Sequence, residues 1–422
     1  MNRKGFALLV AATALTAVAP AWAGNGHILH GVGATNSAMG GAGVALPNDA
    51  LGALALNPAL LARLDGHRFE FSAEYAEANN AVESSVQTPV GTFSGRTEES
   101  GDTPLIPAFG WTRNKSGHFA YGMGFLGLAG FGVDYPQDPR NPILAPQPQG
   151  FGRVYSNYQL MKVPTALAWR LNDALSFGIS LNAARATLTA NPAGFASPDC
   201  ASATNCFVPS VNADSAFGFG ATVGVHYQIN DAFAIGGSYS SELDFEDFEW
   251  NSTVANPSLP TYGTNRQIKF QINSPAIAAV GIAVTPSDRL QIALDAKEVF
   301  YGDTEGFGDS LGWEDIMVYA LGVQFGATDR LTLRAGYNQA ENPIPPQFTF
   351  FNVSSPAIFE DHWTAGLGFQ VNEALQLNLA YYRALENRSS GPFVSPFGPV
   401  PGTQVTNEMS MDSAVVTFAF KL

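Results

Sequence analysis

Asn172-Asp173-Ala174-Leu175 is the clearest example of a turn that recurs along this chain, each time between two stretches that alternate apolar and polar residues. Asn and Asp favour turns because their side chains bond the local main chain. A sixth tight turn, at 114–117, belongs to the same series. Six turns predict six hairpins, and one strand on either side of the series gives fourteen strands. The other turns are Asn230-Asp231-Ala232-Phe233, Ser287-Asp288-Arg289-Leu290, Thr328-Asp329-Arg330-Leu331 and Asn372-Glu373-Ala374-Leu375.

The alternating stretches are long and have one fully apolar face, as in Phe217, Phe219, Ala221, Val223 and Val225. The other face is rich in Gly, Ser and Thr mixed with charges. A soluble β-sandwich also alternates, but strands of globular proteins are typically about 5–6 residues long. We therefore predict an all-β fold, a 14-stranded antiparallel transmembrane β-barrel with short periplasmic turns and long extracellular loops. The loops are expected near 78–103, 132–154, 190–213, 247–265, 303–312, 341–357 and 388–408.

The first 23 residues have the pattern of a secretory signal peptide. Arg3 and Lys4 precede an apolar stretch at 6–18, and Ala21-Trp22-Ala23 is a small-x-small cleavage site. Beyond it, no apolar run approaches the roughly 20 residues of a membrane helix. We predict a signal peptide at 1–23 and export to the outer membrane of a Gram-negative bacterium.

The charge and the cysteine content of the chain limit the kinds of partner that the protein can bind. Charged residues make up only 14% of the chain, and the net charge of −15 argues against nucleic acid or an anionic lipid surface. The two cysteines, Cys200 and Cys206, lie in one loop, and an exported protein is expected to join them in a disulfide. No His or carboxylate cluster of ligand spacing accompanies them, so neither a metal nor a cofactor is predicted.

Residues 24–66 interrupt the alternation and are dominated by small residues. Asn48 or Asp49 could cap a short helix over 50–56, and Asn57-Pro58 should end it. A compact segment ahead of a fourteen-stranded barrel can fill the lumen, which would otherwise be an open hole. We predict that 24–66 is an N-terminal hatch plugging the barrel of 67–422, with a periplasmic or disordered leader as the alternative.

Several motifs carry a family resemblance. Met39-Gly40-Gly41-Ala42-Gly43 and then Asn57-Pro58-Ala59 precede the first strand. Supporting matches are Arg170-Leu171-Asn172-Asp173-Ala174-Leu175-Ser176-Phe177-Gly178 and Ala340-Glu341-Asn342-Pro343-Ile344-Pro345. From about residue 24 to its end, the chain resembles the long-chain fatty acid outer-membrane transporters, the FadL/TodX-type family of hydrophobic-compound channels.

The resemblance implies passive transport of long-chain fatty acids or similar hydrophobic molecules. Ligand would land in a groove among extracellular loops, pass to a lumen pocket, and leave sideways through the wall after the hatch moves. The hatch element maps to Asn57, Pro58 and Ala59. The lateral gate, a kink in the third strand, maps to Gly127, Gly130 and Gly132, since glycine weakens a strand; ordinary small lumen residues are the alternative.

The ligand contacts are less well matched. Candidate apolar contacts in the loop groove, on 190–213 and 247–265, are Phe195, Phe207, Trp250 and Tyr262. Fatty-acid members also place basic side chains in the pocket, but the corresponding stretches here, 188–191 and 302–305, are neutral or acidic. Lys162, Lys297 and Arg334 have inward parity and could substitute, or could instead pair with Asp295 or a hatch group. A channel for neutral aromatic or alkane hydrocarbons therefore remains an alternative.

Two further classes compete. A general diffusion porin needs an open polar path, which a plug and apolar loops oppose. An outer-membrane enzyme would need a Ser/His/acid set, and none of the six histidines lies in a recognisable nucleophile motif. We expect no enzyme, but a monomer in contact with outer-membrane lipid and lipopolysaccharide.

Overall fold

The computed structural model describes residues 24–101, 105–115, 117–395 and 398–422. The signal peptide predicted at 1–23 lies outside the described residues. Fourteen antiparallel strands form a closed barrel, as the turns predict. They are β1 (His67–Thr88), β2 (Leu105–Asn114), β3 (Phe119–Tyr135), β4 (Val154–Arg170), β5 (Leu175–Asn191), β6 (Val211–Asn230), β7 (Phe233–Ser240), β8 (Ala276–Ser287), β9 (Leu290–Phe300), β10 (Ile316–Gly326), β11 (Leu331–Ala340), β12 (Asp361–Asn372), β13 (Leu375–Gly391) and β14 (Thr403–Lys421).

Each strand pairs with its sequence neighbours, and β1 closes the barrel against β14 from Arg68↔Lys421 to Val86↔Thr403. In most of the recurrent turns the first side chain bonds the main chain of the turn, as in an Asx turn. Asn172 Oδ1 accepts hydrogen bonds from the main-chain N–H of Ala174 (2.9 Å) and Leu175 (2.8 Å). Asn230 and Asn372 repeat this geometry, and the Thr328 hydroxyl takes the same place in its turn. The side chain thus closes the turn by itself, which explains why so short a motif marks the hairpins.

The two faces of the wall differ as the alternation predicts. Outward positions carry exposed apolar side chains, such as Leu181 and Phe219, whereas inward positions are buried. No helix in the described ranges is long and apolar enough to cross a bilayer.

The loop predicted near 78–103 is instead largely extended. β1 continues to Thr88 and forms a hairpin with Gly91–Glu98. The loop prediction was wrong here because this part of β1 hydrogen-bonds to the returning strand Gly91–Glu98 and stays extended. Three other loop regions hold short ladders, and two 3₁₀-helices lie in Pro142–Leu144 and Pro346–Phe348. The ladders pair Asp199–Ser202 with Asn205–Phe207, Phe248–Thr253 with Asn265–Phe270, and Val394–Ser395 with Gly398–Pro399.

The segment before β1 folds against the inward face of the wall. It contains α1 (Gly33–Ala38), α2 (Ala50–Leu56) and a 3₁₀-helix (Pro58–Arg63), and nearly all of it is buried. We call residues 24–66 the hatch. Helix α2 ends before Asn57 as expected, but neither Asn48 nor Asp49 caps it with its side chain. Glu70 on β1 accepts the main-chain N–H of Ala50 (2.9 Å) and Leu51 (3.2 Å) instead, so the wall caps the helix.

Candidate functional site

Wall side chains hold the hatch by its main chain. Asp295 Oδ2 accepts the N–H groups of Gly43 (2.7 Å) and Val44 (3.0 Å). Lys297 Nζ donates to the Gly41 carbonyl (2.8 Å), and Asn338 Nδ2 donates to the Gly40 carbonyl (3.1 Å). A buried charge is tolerated when hydrogen bonds satisfy it, and here the partners are otherwise unpaired peptide groups. The polar lumen face is therefore complementary to one docked hatch conformation.

The predicted hatch element, Asn57, Pro58 and Ala59, lies at the join between α2 and the 3₁₀-helix. Asn57 is fully buried, and its Oδ1 accepts the Ala59 N–H (3.0 Å). Its Nδ2 donates to the carbonyls of Val44 (2.8 Å) and Val225 (3.0 Å). One amide thus caps the start of the 3₁₀-helix, ties two parts of the hatch together and fastens both to β6.

Inward-facing glycines of the wall make room for this turn. A Cβ on Gly224 would overlap Asn57 Oδ1 and lie 3.0 Å from Pro58 Cδ, and one on Gly178 would overlap the Pro58–Ala59 peptide. Arg63 donates to the carbonyls of Asp173 (2.7 Å) and Ala174 (2.6 Å) in the recurrent turn at 172–175. The hatch is therefore seated tightly at the end of the barrel that carries the short turns.

A β-bulge interrupts the third strand in the region of the predicted gate. Gly127 pairs with Met161 and Ala129 pairs with Leu160, so Leu128 is an extra residue in β3. On the other side, the β2–β3 ladder ends at Ala108↔Leu126. The next residue of β2 is Pro107, which has no N–H to donate.

The start of the hatch bonds to the part of β3 that β2 leaves unpaired. Leu29 N–H donates to the Leu128 carbonyl (2.9 Å), and Gly130 N–H donates to the His27 carbonyl (2.8 Å). Of the three predicted gate glycines, Gly127 borders the bulge, Gly130 binds the hatch, and Gly132 lies in regular pairing with Asn157. Movement of the hatch would therefore uncover this edge of the wall.

An apolar cavity of about 80 Å³ lies between this part of the hatch and the wall. Leu29, Val32, Leu56, Leu128 and Ile277 supply apolar surface, and the polar and charged lining includes Asn182, Ser238, Ser240, Lys162 and Lys297. A water needs roughly 10–15 Å³ on this measure, so the cavity has room for only a few waters. A chain-like ligand enters it only if the hatch gives way.

The three predicted cations differ in their partners. Lys297 bonds the Gly41 carbonyl beside Asp295. Arg334 donates to Gln324 Oε1 (2.6 Å) and Asn378 Oδ1 (3.1 Å). Lys162 is buried, 5% exposed, and its side chain has no hydrogen bond or ion pair with any residue that the structure describes. Lys162 is thus the cation that faces the cavity unpartnered.

The predicted loop contacts do not converge on one groove. Phe195 stacks on Phe270 (ring centroids 4.2 Å apart) and Trp250 (5.6 Å), and Trp250 is only 5% exposed. Phe207 is half-buried in its short ladder, whereas Tyr262 is exposed. Phe195 and Trp250 therefore form a packed core under the loops.

A second set of loop residues forms an apolar groove of about 540 Å³. We call it the loop groove; its rings and aliphatic side chains include those of Ile143, Phe151, Phe350, Phe351, Phe393 and Val400. The Phe350 ring lies 5.2 Å from Phe151 and 5.4 Å from Phe393, centroid to centroid. Cys206 lines the groove and forms a disulfide with Cys200. These phenylalanines come from three loops that are far apart in the sequence, so no sequence pattern indicated that they lie close together.

His27, which no sequence motif singles out, lies in an aromatic enclosure at the start of the hatch. The rings of Phe307, Tyr301, Tyr158 and Trp313 lie 4.4 to 6.1 Å from its own. The Tyr301 hydroxyl donates to the Asn25 carbonyl, so it accepts from His27 Nδ1 (2.9 Å). Burial lowers the pKa of His27 to about 3 and that of His30 to about 4. Both imidazoles are therefore neutral near pH 7.

We expect acid to loosen the start of the hatch. When the start of the hatch is released into water, the pKa values of His27 and His30 return to about 6.5. Docking of the hatch is therefore fully favourable above that pH and weakens as the pH falls toward 3 or 4. Linkage gives roughly a tenfold loss in the docking equilibrium per pH unit for each histidine. Hydrogen exchange of 24–31, corrected for intrinsic rates, measures this at about pH 7 and about pH 5. In His27→Phe the pH dependence should shrink; equal protection at both pH values would contradict the prediction.

Comparison with known proteins agrees with this architecture. The sequence matches the family "Outer membrane protein transport protein (OMPP1/FadL/TodX)" over residues 12–391. No curated protein sequence matches the chain.

Three similar solved structures share the barrel. The P. putida toluene transporter TodX has a TM-score of 0.69 at 19% identity, over 93% of this chain and 99% of that one. A Pseudomonas aeruginosa FadL homologue has a TM-score of 0.72 at 16% identity, over 94% and 99%. The Ralstonia pickettii toluene transporter TbuX has a TM-score of 0.66 at 18% identity, over 93% and 99%. The fold and the family match together place this chain in the OMPP1/FadL/TodX family of outer-membrane transport proteins.

Proposed function

We propose that this protein transports long-chain fatty acids passively across the outer membrane. The observation that carries the proposal is Lys162, a buried ammonium group at the lumen cavity that has no hydrogen-bond or ion-pair partner among the described residues. An unpaired buried charge is costly, and an incoming carboxylate would satisfy it with a charge-assisted hydrogen bond. Asn182, Ser238 and Ser240 offer additional polar contacts for the same head group.

Ligand capture begins at the loop groove. Its phenylalanine rings offer apolar surface to an acyl chain, and burial of that surface contributes about 25 cal/mol per Å². A volume of about 540 Å³ lies within the usual range for small-molecule sites. No energy source is required, because the ligand moves from water to successively better apolar environments.

Hatch movement couples capture to exit. The lumen cavity of about 80 Å³ is too small for a long acyl chain, so binding there must displace the segment at 24–32. The same segment supplies the main-chain partners of β3 beside the bulge. Its displacement would open the wall between β2 and β3 and let the ligand enter the bilayer sideways.

Replacing Lys162 by methionine tests the substrate class. We expect uptake of labelled oleate by cells that lack other fatty-acid carriers to fall by about tenfold, because a hydrogen bond to a charged group contributes roughly 1.5–3 kcal/mol. Lys162→Arg keeps the charge and should retain more uptake. Toluene uptake should be unchanged in both variants. Unaltered oleate uptake in Lys162→Met, at equal surface expression, would contradict the fatty-acid proposal.

Neutral hydrocarbons are the second candidate. The loop groove is lined chiefly by apolar and aromatic side chains, and two of the similar structures are toluene transporters. Toluene uptake that exceeds oleate uptake in the unchanged protein, together with unaltered oleate uptake in Lys162→Met, would favour this class. The hatch-filled lumen does not support a general porin, and slow swelling of protein-containing liposomes in sugar solutions is the expected result.

A further inference from the structure

The outer surface of the barrel carries a depression with an arginine near its centre. A depression of about 440 Å³ lies across the outward faces of β3, β4, β5 and β6. Arg185 lies near its centre, between Met161 on β4 and Phe217 on β6 in the ladder. We call this depression the Arg185 patch; its polar lining is Asn157, Gln159, Arg185, Thr187 and Thr189, and its apolar lining includes Phe125, Met161, Val163, Ala183 and Phe217.

The patch lies at the extracellular boundary of the apolar band. On β5 the outward residues below Arg185 are Leu181 and Ala183, and those above it are Thr187 and Thr189. Arg185 is ten residues from the periplasmic start of β5, and tilted strands of this kind cross an apolar band about 25 Å tall. The guanidinium is thus at the level of the head groups of the outer leaflet.

Arg185 has no carboxylate partner. Its Nη2 donates to Ser215 Oγ (2.9 Å), and in the part of the chain that the structure describes it forms no ion pair. By contrast, Arg383, another outward arginine at similar height on β13, faces Asp412 (Nη1–Oδ1 3.9 Å). The other N–H groups of the Arg185 guanidinium can therefore donate hydrogen bonds to a planar or tetrahedral anion.

We propose that the Arg185 patch binds a lipid A phosphate of lipopolysaccharide. The anion at this height in an outer leaflet is that phosphate, and arginine is the side chain best suited to bidentate phosphate recognition. Acyl chains would lie on Phe125, Met161 and Phe217 below it. Since the net charge of −15 repels anionic surfaces in general, binding must depend on this local cation.

The Arg185 patch adjoins the proposed exit of the transported ligand. The incomplete edge of the wall is between β2 and β3, and the patch begins on β3 itself, where Phe125 lies two residues before Gly127, the partner of Met161. Because a fatty carboxylate and a lipid phosphate share the same chemistry, the carboxylate is a competitor that the experiment must include.

Native mass spectrometry of the delipidated protein in detergent, with added diphosphoryl lipid A, tests the proposal. We expect Arg185→Gln to lower lipid A binding by about tenfold and Arg185→Lys to restore part of it. Arg383→Gln, the matched control, should bind lipid A like the unchanged protein. Phosphatidylglycerol should bind the unchanged protein more weakly than lipid A, and oleate should not displace lipid A.

Three results would overturn the proposal. Undiminished lipid A binding by Arg185→Gln would show that the arginine is not the anchor. Equal losses in Arg185→Gln and Arg383→Gln would indicate a general charge effect. Displacement of lipid A by equimolar oleate would make the patch part of the substrate route. Oleate uptake at the wild-type rate in Arg185→Gln is expected and confirms that the variant barrel is folded.

Discussion

Valine in place of Gly224 is expected to expel the hatch turn and make the barrel permeable to small solutes. A Cβ at this position would overlap Asn57 Oδ1 and lie 3.0 Å from Pro58 Cδ, and β6 cannot retreat because it is paired on both sides. The Asn57 hydrogen bonds to Val44 and Val225 would break together. Without its plug, a barrel of fourteen strands encloses an open channel.

Liposome swelling in sugar solutions measures this permeability. We expect the Gly224→Val barrel to swell the vesicles about an order of magnitude faster, since a freed lumen of this strand number admits water and sugars. The matched control is Gly237→Val on the adjacent strand, where a Cβ meets only ordinary contacts at 3.7 Å. Heat-modifiable migration in gels verifies that both barrels fold. Equal, slow swelling in both variants would show that the hatch stays in the lumen even when a side chain is added at position 224.

Deletion of Leu128 is expected to close the side of the barrel and abolish oleate uptake. The extra residue creates the bulge, so its removal places Gly127 opposite Met161 and Ala129 opposite Leu160 in unbroken register. Inward and outward positions are kept on both sides of the deletion. A continuous β3 lacks the local bend that a bulge imposes, and the Leu128 carbonyl that binds Leu29 is gone.

Uptake of labelled oleate should fall by about tenfold or more, because an apolar ligand that reaches the lumen then has no exit except into water. Leu128→Ala is the control, since it removes the side chain and keeps the bulge. Its uptake should stay well above that of the deletion variant, although it loses one side chain of the cavity lining. If the deletion variant transports oleate normally while folded and exported, lateral exit at β3 is wrong.

The wall of this barrel was predictable from its sequence because its determinants are local. A turn such as Asn172–Leu175 is closed by the side chain of its own first residue. Along a strand, every second side chain lies on the same face of the wall. Helix α2 and its end at Asn57 were predictable for the same reason. The helix cap was not, because the acceptor is Glu70 on the wall rather than a neighbouring residue.

The ligand contacts depend on tertiary structure and could not be predicted in the same way. Three inward cations look alike in the sequence, and only the folded lumen separates the unpartnered Lys162 from Lys297 and Arg334. The phenylalanines of the loop groove come from separate loops. At Leu128 the alternation itself reverses, because inward positions are even-numbered below the bulge and odd-numbered above it.

The dependence of the hatch on the wall sets an order of assembly. Helices α1 and α2 have six and seven residues, too few to persist alone in water. The peptide groups at 40–44 and at the start of α2 find their partners on Asp295, Lys297, Asn338 and Glu70. These four side chains come together only when distant strands have joined. The hatch therefore acquires its structure only after these strands have paired, and the sheet closes around a hatch that is still unfolded.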